Sequence, residues 1–192
     1  MKPERIIMGV DPGTQLLGWG VIAIDGNTPR YVAMGSLSVK RERDHFARIG
    51  LVFKEMVALI DRYMPDEFAI EAPFYGKNVQ SMLKLGRAQG ALISAAQSRS
   101  LPVFEYAPRR VKLSITGRGG ASKEQVASIL TKILSVTDYF SSLDATDALA
   151  VALCHYLNTN LLSYSPKSTK SGPGPTLNSW DRFIKEHPDR VK

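Results

Sequence analysis

Only one of the 192 residues is a cysteine, Cys154, so no disulfide can form within the chain. That scarcity suits a reducing compartment, and a cytoplasmic protein is expected. Histidine is nearly as rare, and His45, His155 and His187 show no ligand spacing, which argues against a zinc site. No apolar run approaches the roughly 18 residues a membrane span needs. The opening Met1-Lys2-Pro3-Glu4-Arg5 lacks the apolar core of a signal peptide, and no internal repeat is visible. What the chain has in excess is positive charge. Its 25 Lys and Arg against 18 Asp and Glu leave a net +7 and a pI near 9.6. This points to a polyanionic partner, nucleic acid ahead of an anionic membrane surface. Residues 164–192 hold six Lys/Arg and three Asp/Glu, so the body is basic as well as the tail.

Hydropathy patterning divides the chain. Residues 5–11, 17–25 and 30–39 read as three strands of an antiparallel meander, with a tight turn at Asp25-Gly26-Asn27. Residues 44–63 switch to helical period, with Phe46, Ile49, Phe53, Met56, Val57 and Ile60 on one apolar stripe. Glu67–Glu71 is a short strand that returns parallel to the first. A helix follows over 78–98, then a strand at Val103–Tyr106, short helices at 108–116 and 122–134, and a last helix over about 143–158. From Tyr164 the composition turns to Ser, Pro, Lys and Gly, the signature of a linker. The expected organisation is a folded domain over 1–163 and a tail over 164–192, with a candidate short helix at 179–187. Three antiparallel strands followed by two parallel ones, with helices on both faces of a five-stranded mixed sheet, describe an α/β fold of the ribonuclease H type.

Carboxylates stand where such a fold converges. Asp11 ends the apolar run Ile6-Ile7-Met8-Gly9-Val10, where an unpaired charge is costly, and Pro12-Gly13 turns the chain just after it. Glu71 ends the strand expected beside it. Asp144 and Asp147 lie at i, i+3 on one face of a helix whose following residues are apolar. Each has a bland alternative: an Asx cap for Asp11, a strand-end surface residue for Glu71, first-turn charge for the two helical aspartates. Four acids brought together repel one another and raise each other's pKa values, and a hard divalent cation relieves that. An all-oxygen set suits Mg²⁺ or Mn²⁺, the chemistry of metal-assisted phosphodiester hydrolysis.

These residues resemble the RuvC family of bacterial Holliday junction resolvases. The resemblance covers residues 6–158. It rests on Gly9-Val10-Asp11-Pro12-Gly13-Thr14 with Gly18-Trp19-Gly20, on Ala69-Ile70-Glu71-Ala72-Pro73-Phe74 with Lys77-Asn78, and on Leu85-Gly86-Arg87-Ala88-Gln89-Gly90. It continues through Glu105-Tyr106-Ala107-Pro108 with Val111-Lys112, and Asp144-Ala145-Thr146-Asp147-Ala148-Leu149-Ala150. The resemblance implies a homodimer that cuts two strands of a four-way DNA junction symmetrically with Mg²⁺, Mn²⁺ substituting, and works with the RuvA–RuvB branch-migration complex. Asp11, Glu71, Asp144 and Asp147 match the family's catalytic carboxylates; some relatives carry His where this chain has Asp144. Phe74 matches an aromatic that stacks on a junction base, with Tyr75 beside it able to share the role. Lys112 and Lys123 match basic residues at the cut phosphate.

Further basic residues expected near the site are Lys77, Arg109, Arg110 and Arg118, the last in a Gly-rich loop that can approach a backbone closely. Lys84 reads as solvated surface. Gly86 and Gly90 make one side of their helix small, which suits close packing on its own sheet or against a second copy, and this helix is the candidate dimer interface. Cys154 and His155 lie in an apolar helix and read as core. Three other functions compete: a ribonuclease H-type enzyme for RNA–DNA hybrids, a junction binder without catalysis, and an actin-like ATPase fragment suggested by Asp-Pro-Gly-Thr. Size and the absence of a second matching half disfavour the last.

Overall fold

The computed structural model describes residues 3–73, 78–136 and 143–163. Its elements run in chain order β1 (Arg5–Asp11), β2 (Leu16–Asp25), β3 (Thr28–Ser38), α1 (His45–Tyr63), β4 (Glu67–Glu71) and α2 (Val79–Gln97). β5 (Val103–Tyr106), α3 (Pro108–Thr116), α4 (Lys123–Leu134) and α5 (Leu143–Ser163) complete them. The strands form one sheet in the order β3-β2-β1-β4-β5, with β1 antiparallel to β2 and parallel to β4. This is the expected mixed five-stranded α/β sheet. The proposed tail over 164–192 and its candidate helix lie outside the described residues.

β1 is central because its apolar run has two faces to bury. Ile7 packs into one core with Ile22, Val111, Leu130, Leu149 and Leu153 beneath α3, α4 and α5. Met8 and Val10 enter a second core on the opposite face with Leu17, Val52, Met56, Phe68 and Leu92 beneath α1 and α2. Successive side chains on a strand point to opposite faces, so a continuous apolar run suits a strand covered on both.

Helix ends follow local chemistry. Asp44 caps α1 by accepting from the Ala47 N–H, and Ser122 and Gln125 form a reciprocal capping box at the start of α4. Gly117 ends α3 at φ +71°, a left-handed conformation open to glycine.

Two expectations need correction. Phe46 is 73% exposed and does not join the apolar stripe of α1, whose buried residues are Val52, Met56 and Ile60. It sits in the first turn, before the helix reaches the sheet. The last helix runs to Ser163 rather than about 158. Near its end it is tied to the sheet by Arg5, whose guanidinium donates to Thr159 Oγ1 at 2.8 Å.

α5 lies unusually close on the meander. A Cβ on Gly9 would overlap the Ala148 carbonyl oxygen, one on Gly18 would overlap the Asp144 carbonyl oxygen, and one on Gly20 would lie 2.7 Å from Leu149 Cα. Glycines on β1 and β2 thus form a platform that the backbone of α5 rests on directly.

Candidate active site

The end of the sheet that carries the carboxylates is set by register. Asp11 closes β1 opposite Gly18 of β2, and the parallel pairing Val10↔Ile70 places Glu71 at the adjacent end of β4. Adjacent strands lie about 4.8 Å apart, so the two acids emerge side by side. The first turns of α5 deliver Asp144 and Asp147 over the same end. One oxygen from each of Asp11, Asp144 and Asp147 lies within 4.8 Å of the others. Glu71 stands outside this trio, yet it lines the same cavity of about 280 Å³ with Asp11, Asp147, Lys112 and Lys123. Val111, Val126 and Ala150 give that cavity apolar walls.

Those walls shape the electrostatics. The Asp11 carboxyl is pushed up to about 7, first by burial and then by the Asp147 charge, with Lys123 opposing and Asp144 adding to the rise. Glu71 is pushed up to about 8, again first by burial, then by Asp11 and Asp147, against Lys123 and Lys112. Lys123 is ion-paired with Asp147, and that bond, more than any other influence, raises the lysine's own pKa. Two ammoniums, Lys112 and Lys123, thus face four carboxylates, which leaves negative charge uncompensated. An all-oxygen donor set under mutual repulsion fits a hard divalent cation and does not fit a soft one. A larger cavity of about 510 Å³ lies by Thr116, Arg118 and Glu124. Its lining holds a single carboxylate, so volume does not mark the chemistry here.

The other expected site residues scatter. Lys112 and Lys123 reach the carboxylate cavity. Arg110 does not: its guanidinium Nε donates to Asn158 Oδ1 at 3.1 Å, on the side of α3 that packs against α5. Arg109 lies along Gly119, its Cγ 2.7 Å from where a Cβ there would sit. Arg118 lines the larger cavity. Gly86 and Gly90 face open space on the exposed side of α2, so they do not serve close packing on the chain's own sheet. Phe74, Tyr75 and Lys77 lie outside the described residues.

Two features escaped the sequence reading. One is the glycine platform under α5. Gly18 and Gly20 at period two, and the small residues Ala145, Ala148 and Ala152 on the helix, were the available signal. The other is a buried polar chain. His155 is fully buried; its Nε2 lies 2.7 Å from Glu67 Oε2 and its Nδ1 2.7 Å from the Tyr106 hydroxyl. Arg5 donates to the same Glu67 oxygen at 2.8 Å through Nε. Burial lowers the His155 pKa against the pull of Glu67, which favours a neutral ring donating from Nε2 and accepting from Tyr106 at Nδ1. This chain ties α5 to β1, β4 and β5, the three strands that also carry or adjoin Asp11 and Glu71.

Comparison with known proteins agrees with this arrangement. A family model described as crossover junction endodeoxyribonuclease RuvC matches residues 7–155. The enzyme of that name from Porphyromonas gingivalis is 50% identical, covering 100% of this chain and 100% of its own. Its counterpart from Cytophaga hutchinsonii is 50% identical over 98% of this chain and 89% of its own. Among solved structures, T. thermophilus RuvC in complex with a Holliday junction substrate superposes with a TM-score of 0.77 at 28% identity, covering 83% of this chain and 98% of that one. The yeast mitochondrial Holliday junction resolvase Ydc2, at 12% identity and a TM-score of 0.64, shares the fold over 85% of this chain and 83% of its own.

Proposed function

This chain belongs to the crossover junction endodeoxyribonuclease RuvC family, and from that premise we propose that it resolves four-way DNA junctions by paired, symmetric nicks in homologous recombination and DNA repair. The observation that carries the reading is the convergence of Asp11, Asp144 and Asp147 within 4.8 Å, with Glu71 on the wall of the same cavity. Incidental acids do not collect at one strand end of a basic protein against apolar walls.

Asp11, Glu71, Asp144 and Asp147 would hold Mg²⁺, with Mn²⁺ able to substitute. Such a metal would make a nucleophilic hydroxide available near neutral pH and would supply positive charge toward the leaving oxygen. The carboxylates fix where attack on phosphorus begins, because the strand ends and the platform beneath α5 leave them little freedom. Lys112 and Lys123 orient the scissile phosphate by charge; Lys123 exchanges Asp147 for the incoming phosphodiester. Val111, Val126 and Ala150 keep bulk water from the walls, which strengthens each of these interactions.

Phe74, with Tyr75 beside it, stacks on a base opened at the junction centre, a contact worth roughly 1–3 kcal/mol per base. Lys77, Arg109 and Arg118 contact DNA phosphates around the cut. Two copies act together, with the exposed Gly86–Gly90 side of α2 as the interface, because a symmetric junction needs two sites related by a two-fold axis. The RuvA–RuvB complex is the working partner and the cytoplasm the compartment. No helix among the described residues is long and apolar enough to cross a membrane.

The test is a three-substrate comparison: purified protein, Mg²⁺, and either a four-way junction, a linear duplex or an RNA–DNA hybrid. Paired nicks in the junction with little cutting of the others is the expected result. Preferential cutting of the hybrid overturns the reading.

A further inference from the structure

We propose that Lys40, Arg41 and Arg43, on the loop between β3 and α1, grip the phosphate backbone of a duplex arm beside the catalytic cavity. The inference rests on the junction-resolving reading above and extends its DNA surface to the opposite face of the sheet from Lys112 and Lys123.

Placement comes first. Asp11 pairs with Gly18, and Gly18 pairs with Ser36, so these three residues stand abreast on β1, β2 and β3. The loop begins just beyond, at Val39, whose N–H donates to the Gln15 carbonyl at 2.9 Å. Gln15 belongs to the turn that follows Asp11. The basic loop therefore abuts the turn that fixes Asp11, then crosses to the face covered by α1.

The loop is built rather than loose. Val39 is buried and anchors it. Arg48 reaches back from α1, its Nη2 donating to the Glu42 carbonyl at 2.6 Å and its Nε at 3.2 Å. The Glu42 carboxylate is taken by the Asp44 N–H at 2.9 Å, and the Asp44 carboxylate by the Ala47 N–H at 2.6 Å. Both acids of the stretch are thus turned to backbone partners, while the side chains of Lys40, Arg41 and Arg43 stand exposed. A held backbone keeps three cations together at no further cost in loop ordering when DNA arrives.

A run of charge is usually a solvated face, and the pairing pattern decides against that here. The three arginine–carboxylate pairs among the described residues are Arg5–Glu67, Arg30–Asp25 and Arg99–Asp61. All lie at the far end of the sheet: at the start of β1 and β4, at the β2–β3 turn, and after the end of α2. Lys40, Arg41 and Arg43 have no carboxylate partner among the described residues. Three arginines at the far end are carboxylate-paired, with Arg62 stacked on Tyr63 instead, while the three loop cations have no such partner although Lys123 inside the cavity is paired with Asp147. That asymmetry is the electrostatic footprint of a polyanion, and exposed side chains on a fixed loop suit backbone phosphates rather than base edges.

The test is a salt titration of binding to a synthetic four-way junction, without metal so that nothing is cut. Each phosphate contact contributes about 0.9 to the slope of log K against log salt. The variant K40A/R41A/R43A is expected to lose at least about tenfold in affinity at low salt and to flatten that slope by about 2 to 3. A charge-matched control, K54A/R62A/K132A, removes three exposed cations elsewhere and is expected to move the slope far less. Thermal unfolding of each variant reports whether it folds, and single substitutions at 40, 41 and 43 serve where the triple variant does not. An unchanged slope in the loop variants overturns the inference and leaves the resolvase reading standing. An equal loss in the control also overturns it, by assigning the effect to net charge. Failure of the unaltered chain to bind the junction overturns both.

Discussion

The Asp144 carbonyl oxygen rests where a side chain on Gly18 would be. Gly18 is also the residue that pairs with Asp11 across β1 and β2. One glycine therefore sets the height of α5 over the very strand position that carries the first carboxylate. A methyl there has no space and no flexible neighbour to displace, since what it meets is helix backbone. Gly18→Ala is expected to lift the start of α5, cost on the order of 1–3 kcal/mol as overpacking does, and lower cleavage far more than that loss of stability explains. A folded variant, by thermal unfolding, with a cleavage rate within about twofold of the parent would remove Gly18 from the site's geometry.

Asp11 makes a prediction with a sign. Its folded-state pKa, about 7, lies above its ordinary value of 3.8, mainly through burial and then through Asp147. Glu71, at about 8 against 4.5, behaves alike. A raised carboxyl holds its proton longer in the folded state than in the unfolded one. Stability from this source is full below about pH 4 and is lost as pH rises through 7 to 8. Metal-free protein should therefore melt lower at pH 8.5 than the same protein with Mg²⁺. Asp11→Asn should raise the metal-free melting temperature at pH 8.5, by about 2–4 °C per kcal/mol of relieved repulsion, and change it little at pH 5. The same variant should abolish cutting and keep junction binding. Lost binding, or a melting curve indifferent to pH, would count against the carboxylate site.

Much of this site was legible in the chain, for identifiable reasons. Asp11 and Glu71 each end an apolar strand, and strand order follows from the lengths of the connections. Asp144 and Asp147 share a helix face by spacing alone. Three things were not legible. Arg110 was expected at the DNA surface, but which side of α3 lies on α5 is decided by packing around Ser114, Cys154 and Asn158, which spacing does not encode. Phe46 keeps the helical period of its neighbours, yet sits a turn before the sheet begins to cover them. Glu71 was expected to join the other three acids as an equal; it lines their cavity while standing apart from the close trio.

His155 titrates in the opposite sense to Asp11. Burial depresses its folded pKa below 6.5, partly against the Glu67 hydrogen bond. A depressed base favours the folded state above the unfolded pKa and loses that contribution as pH falls through the folded value. The chain should accordingly show an acid limb of destabilisation beginning below about pH 6.5. His155→Phe retains the ring against Phe104, whose centroid lies 4.3 Å away, and removes the titrating group. It is expected to flatten that limb, while costing stability at pH 8 because Tyr106 and Glu67 each lose a buried partner. An acid limb unchanged in the variant would assign it to other groups.

Lys123 is the cation already paired with one of the cavity's carboxylates, Asp147. It is half exposed while Asp147 is 17% exposed, so the pair adds little to stability, on the order of 0–1 kcal/mol. Its effect is on charge within the cavity, where it lowers the pKa of both Asp11 and Glu71. A divalent cation placed among the same acids must share Asp147 with it. Lys123→Met keeps the length of the stem and removes the ammonium, so it should bind metal more tightly. Cleavage should reach half its maximum at a lower Mg²⁺ concentration than in the parent. The maximum itself should fall, on the order of a hundredfold, because the phosphate loses a fixed positive charge as it reacts. These two changes have opposite signs, and a merely structural lysine would produce neither. A Mg²⁺ titration of cleavage at fixed junction concentration reads both at once; a rise in the half-saturating concentration would place Lys123 among the groups that help hold the metal instead.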